Sequence, residues 1–181
     1  MGEYTIENYF SLKPNGDLWE LIKGIFKMSP APAPRHQKIA GRIYVDIENH
    51  VAKHKKYEVF ISPFDVIFDK HTVVQPDIVI IGDMSKLTHR GYQGAPDVVI
   101  EVVSPSSHNK DLLEKHSLYQ EHGVKEYLIV YPATHEVWQY VLEDEGRFSP
   151  PMKHSMANKI NVSYDPDLIL DLSYLIGEEL P

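Results

Sequence analysis

Asp77, Asp97 and Glu101 stand at the start of, or inside, two apolar runs, PDIVII (Pro76 to Ile81) and PDVVIEVV (Pro96 to Val103). The second lies within GAPDVVIEVVSPSS, whose β-branched residues enter after Gly-Ala-Pro and close at Ser-Pro-Ser-Ser, the length and flanks of a strand buried on both faces. A carboxylate in the middle of such a strand costs at least several kcal/mol if unpaired, so Glu101 must be neutral, paired or bound to a cation. Side chains alternate along a strand, which puts Asp97, Val99, Glu101 and Val103 on one face. If the run from Thr72 to Gly82 pairs with this strand in a suitable register, which the sequence does not specify, Asp77 meets Glu101. Two carboxylates in an apolar site cannot both stay ionised without a cation, and a hard divalent ion such as Mg²⁺ prefers such oxygens. The main-chain carbonyl of Val102, next to Glu101, is a candidate third ligand.

These residues need strands to hold them and a helix to cover them. Trp19 to Met28 reads as a short strand pair turning at Lys23-Gly24, and SPAPAPR (Ser29 to Arg35) breaks regular structure. Ile39, Ile43, Ile47 and Val51 recur every four residues, so a helix is expected from about His36 to Lys53. Glu58 to Asp69 and Thr72 to Gly82 read as strands, and Asp83 to Pro96 as a loop. Ser106 or Ser107 is placed to cap a second helix that ends at Gly123. Lys125 to Tyr131 and Glu136 to Leu142 are further strands, with a turn at Glu143 to Arg147. Lys115 falls about eight residues past the cap, roughly 12 Å along the helix at about 1.5 Å per residue. At about 3.3 Å per strand residue, that is level with Val99 to Glu101 if the helix folds back on the sheet. Lys115 then leans over the acids or, since Asp111, Lys115 and Tyr119 form an i, i+4, i+8 stripe, pairs with Asp111 on the surface. Carboxylates holding a metal beside a lysine are suited to phosphodiester hydrolysis.

The element order predicts one α/β domain with a mixed central sheet flanked by helices, a size consistent with 181 residues. With 43% hydrophobic and 24% charged residues the composition is that of a soluble globular protein. No run of some 18 apolar residues and no leader-like N-terminus occur, so a cytoplasmic protein off the membrane is expected. Zero cysteines exclude disulfides and thiolate metal sites. The net charge of −8 argues against whole-surface attraction to nucleic acid. Yet Arg35 to Lys56 carries six Lys or Arg against two acids, while Asn161 to Pro181 carries five acids and no Lys or Arg, an acidic C-terminal extension.

WELIKG…MSPAPAPRHQKIAGRI, VVQPDIVII, GAPDVVIEVVSPSS and DLLEKHSLYQEHGVKEYLIVYP together resemble the Uma-type family of restriction endonucleases, within the PD-(D/E)XK nuclease superfamily, from about Leu18 to Leu142. The resemblance implies a restriction-endonuclease-like core and a Mg²⁺-dependent DNA endonuclease in which Mn²⁺ substitutes. By the same resemblance Asp77 is the acid of the PD element and Glu101 that of the (D/E)XK element, both metal ligands. Two residues after Glu101 stands Val103, where the superfamily has lysine, and the resemblance gives that catalytic role to Lys115. Glu20 and His36 match family positions at the edge of the site and are possible substrate contacts. DNA is the expected partner, with the basic helix gripping its backbone, and a homodimer is the simplest way to cut two strands.

Blander readings stand beside these. Glu101 can be a structural ion-pair partner of Lys115 with no metal, in a nuclease-fold module that binds or interacts without catalysis. Asp97 suits a turn at a strand start. His50 and His54 have i, i+4 spacing, but with Lys53, Lys55 and Lys56 beside them a solvated helix end is expected rather than a zinc pair.

Overall fold

The computed structural model of the protein describes residues 3–12, 19–28, 31–104 and 109–177. Two six-stranded sheets contribute to one shared buried apolar cluster. The central sheet has the order β12-β11-β10-β9-β6-β3, built from β3 (Glu58–Ile61), β6 (Ile78–Ile81), β9 (Val98–Val102), β10 (Glu126–Tyr131), β11 (Glu136–Val141) and β12 (Met152–Ser155). β9 and β10 are parallel and every other pair is antiparallel. The second sheet, β2-β1-β5-β4-β8-β7, uses β1 (Trp19–Ile22), β2 (Ile25–Met28), β4 (Val66–Asp69), β5 (Thr72–Val74), β7 (Leu87–Thr88) and β8 (Gly91–Gln93).

Alternation along β6, β9 and β10 makes the central sheet apolar on both faces. Ile78, Ile80, Val98, Ile100, Val102, Leu128 and Val130 point to one side, where α2 (Pro34–His54) lays Ile39, Ile43, Ile47 and Val51 against them. Pro34 in the first turn suits the start of α2, where its missing N–H has no partner to lose. Val79, Ile81, Val99, Tyr127 and Ile129 point the other way, toward Leu118 and Tyr119 of α3 (Asn109–His122) and toward Ile22, Val66, Val74 and Tyr92 of the second sheet. α1 (Ile6–Leu12) closes a smaller cluster of Tyr9, Leu21, Ile67 and Val73. These layers make a mixed α/β core flanked by helices, as the element order predicts.

The strand pair turns where the sequence placed it. Lys23 (φ 51°) and Gly24 (φ 78°) both take positive φ, the two-residue geometry that follows strand twist. α3 ends at Gly123 with φ 82°, a left-handed C′ position, while Ser106 and Ser107, read as caps, lie outside the described residues.

Three readings are corrected. Thr72 to Gly82 is two strands in different sheets, because Pro76 has no N–H for a ladder and the chain changes sheet across Gln75-Pro76-Asp77. Glu58 to Asp69 likewise divides into β3 and β4 around Pro63. Asp83 to Pro96 is not only loop, for it holds the hairpin of β7 and β8. The C-terminal segment also does more than carry charge. β13 (Lys159–Asn161) and β14 (Ile169–Asp171) form a hairpin, and Leu168, Leu170, Leu172 and Leu175 join the α2 side of the core.

Candidate metal centre

The two acids meet at the C-terminal end of β9. β6 and β9 pair Ile78 with Ile100, so the next step of the register sets Asp77 level with Glu101. The Val102 N–H donates to Asp77 Oδ2 at 2.7 Å, and the Asp77 carbonyl accepts from the Ser62 N–H at 2.9 Å. N–H and C=O of one strand residue leave on the same side, so the Val102 carbonyl also faces the β6 edge where Asp77 sits. His36, in the first turn of α2, puts Nε2 3.0 Å from Asp77 Oδ2. Its Nδ1 is buried and makes no hydrogen bond of good geometry among the described residues.

Glu101 occupies the face otherwise given to Val79, Val99, Tyr127 and Ile129, and only 7% of it is exposed. Lys115 Nζ lies 2.9 Å from Glu101 Oε1 and 3.2 Å from Glu20 Oε1. The lysine thus leans over the acids, and of the two placements open at the level of sequence this is the observed one. Tyr119, one turn further along α3, donates its hydroxyl to the same Glu101 Oε1 at 2.7 Å.

Glu20 arrives from β1, in the other sheet, and accepts the Gln75 N–H at 2.9 Å. Behind it, Gln75 Nε2 donates to Asp65 Oδ1, which also accepts the Tyr9 hydroxyl. Gln75, Asp65 and Tyr119 escaped the sequence reading. Only Tyr119 carried a signal, its i+4 spacing from Lys115; Asp65 and Gln75 are brought in by the change of sheet.

The electrostatics follow from burial. Burial pushes the Glu101 carboxyl up to about 7, helped by Asp77 and Glu20 and opposed by Lys115. Burial would discharge Lys115, but Glu101, Glu20 and Asp77 outweigh it and raise its pKa well above the ordinary lysine value, so it stays an ammonium. For His36 burial acts downward, yet the Asp77 hydrogen bond and the nearby charges raise it above its usual value.

With all three acids ionised and His36 neutral, three carboxylates against one ammonium would leave 1 − 3 = −2. The outer oxygens Asp77 Oδ1, Glu101 Oε2 and Glu20 Oε2 have no hydrogen-bond or ion-pair partner among the described residues. Among those residues no three acidic or histidine side chains gather closely enough to hold a metal alone. Asp77, Glu101 and the Val102 carbonyl are oxygen donors of the type Mg²⁺ takes, one or two carboxylates completed by carbonyl and water.

A family model described as "Uma2: Putative restriction endonuclease" matches residues 6–164. The chain belongs to the Uma2 family. A crystal structure described as that of "a putative nuclease" from Anabaena variabilis has a TM-score of 0.79 to this Uma2 chain, at 19% identity, over 96% of this chain and 97% of that one. At that identity the likeness shows the fold alone. No curated protein matches the sequence.

Other residues of this Uma2 chain fall outside the centre. Asp97 sits at the far end of β9, where it accepts the Gly82 N–H at 2.7 Å and pairs with Lys125, so its carboxylate ties neighbouring segments together. His50 is not at a solvated helix end: only 14% of its side chain is exposed, and its Nε2 lies 3.1 Å from Asp165 Oδ2. That correction arises because the C-terminal segment folds back over the end of α2, where Lys56 also pairs with Asp165 and Asp167. The basic run and the acidic extension therefore partly neutralise each other. No helix is long and apolar enough to cross a membrane among the described residues.

Proposed function

We propose that this chain is a Mg²⁺-dependent endonuclease that hydrolyses phosphodiester bonds of DNA, with Mn²⁺ able to substitute. The observation that carries the reading is the convergence of Glu101 and Glu20 on Lys115, with Asp77 level with Glu101 at the neighbouring strand, in a member of the Uma2 family. Asp77, Glu101 and the Val102 carbonyl would hold the ion. A divalent ion there supplies charge to a phosphoryl oxygen and makes water more acidic.

The chain's own groups do the rest. Lys115 remains charged, so its part is to stabilise negative charge growing on the phosphoryl group or to orient the attacking water, and not to remove a proton. Val103 packs in the apolar cluster, and the cation that the superfamily sets two residues after the acid reaches Glu101 from α3 instead. His36 and Glu20 border the centre, where they can contact the sugar-phosphate backbone. Positive residues along α2 would hold DNA in a salt-dependent way, and two copies would cut two strands most simply as a symmetric dimer.

Calorimetric titration of Mn²⁺ into the wild type and Asp77→Asn, followed by plasmid nicking on the same samples, tests the reading. Binding and nicking are expected in the wild type and lost together in the variant. A wild type that binds no Mn²⁺ at millimolar concentration would make Glu101 and Lys115 a structural ion pair and the chain a non-catalytic module.

A further inference from the structure

Two donors share one oxygen of Glu101. Lys115 Nζ at 2.9 Å and the Tyr119 hydroxyl at 2.7 Å both meet Oε1, while Oε2 has no protein partner among the described residues. We propose that Tyr119 is a positioning residue of the metal centre, whose hydroxyl holds Glu101 Oε1 against α3 so that Oε2 is the oxygen offered to the cation. The inference rests on the metal reading above and extends it to a residue that does not touch the ion.

The two donors differ in what they can fix. Lys115 ends a flexible stem with three rotatable donors, and it also serves Glu20, so it supplies charge without fixing a direction. Tyr119 is fully buried, with its ring edge-on to Tyr127 at 5.0 Å and tilted against Phe68 at 6.1 Å, so its hydroxyl has one place to be. Burial and the Glu101 charge keep the phenol protonated, hence a donor. A neutral donor orients the carboxylate without adding the positive charge that would repel a metal ion. Partners of this kind, one step behind the ligands, typically change metal affinity by about 10- to 100-fold when removed.

Tyr127 provides the control. It lies in the same aromatic cluster, is equally buried, and its hydroxyl has no hydrogen-bond partner among the described residues. Mn²⁺ is titrated into the full chain as wild type, Tyr119→Phe and Tyr127→Phe, with thermal melting of each without metal. Tyr119→Phe is expected to bind Mn²⁺ about tenfold or more weakly, with Tyr127→Phe at the wild-type affinity and all three melting as folded proteins. Equal affinity in Tyr119→Phe and a metal-binding wild type would overturn the positioning role alone, as would equal weakening in both variants. A wild type without affinity for Mn²⁺ would overturn the metal reading and this inference with it.

Discussion

Lys115 is the residue whose loss should tell most about the centre. It is the ammonium within 3.2 Å of two buried carboxylates, Glu101 and Glu20. Removing one partner of a buried ion pair leaves uncompensated charge and typically costs about 3–5 kcal/mol. Lys115→Met keeps much of the stem's volume, so urea unfolding at neutral pH should show a loss of that order. Added Mn²⁺ should recover part of it by supplying the missing positive charge. A loss below about 1 kcal/mol would mean that the acids escape the penalty, by taking up a proton at Glu101 or by relaxing into water.

At the scale of elements, α3 presents the lysine and the tyrosine together, and its end depends on a single left-handed residue. A Cβ on Gly123 would meet nothing within 4 Å, so the cost of Gly123→Ala is conformational, about 1 kcal/mol, and is readable as a lowered denaturation midpoint. A larger loss would mean that the helix end is coupled to more than its own turn. The strong periodic elements were evident in the sequence: the four-residue recurrence gave α2, and the buried apolar runs gave β6, β9 and β10. Lys115 came to the right level because helix rise and strand rise are fixed lengths. What the sequence left hidden has a common cause. Asp77 owes its place to a change of sheet at Pro76, Glu20 reaches the centre from the other sheet, and β12, β13 and β14 are short strands with little alternation of their own. Each depends on contacts distant in sequence, which local pattern does not carry. Glu20 and His36 came into view only through resemblance.

Across the whole molecule, the C-terminal segment is fastened to α2 by Asp165, which receives hydrogen bonds from His50, Lys56 and Tyr57. Burial pushes its carboxyl up, but those bonds outweigh it and hold the group at about 2, below the ordinary 3.8. A depressed carboxyl stabilises the fold in full above pH 3.8, and the contribution fades as pH falls toward 2. The difference of 3.8 − 2 is worth about 2 kcal/mol at most. Asp165→Asn should therefore be less stable than the wild type at pH 6, with the gap shrinking to about half by pH 3 in urea titrations. A gap that stays constant between those pH values would mean that the aspartate acts by shape and not by charge.

The junction at Lys115 has a consequence in time. Glu20 is made 115 − 20 = 95 residues before the lysine that neutralises it. On the ribosome its carboxylate must wait in water, unpaired, while the strands of both sheets up to β9 are synthesised. A nascent or prematurely ended chain shorter than α3 carries the acids with no ammonium between them, so any reactivity of the cluster is withheld until α3 has been made.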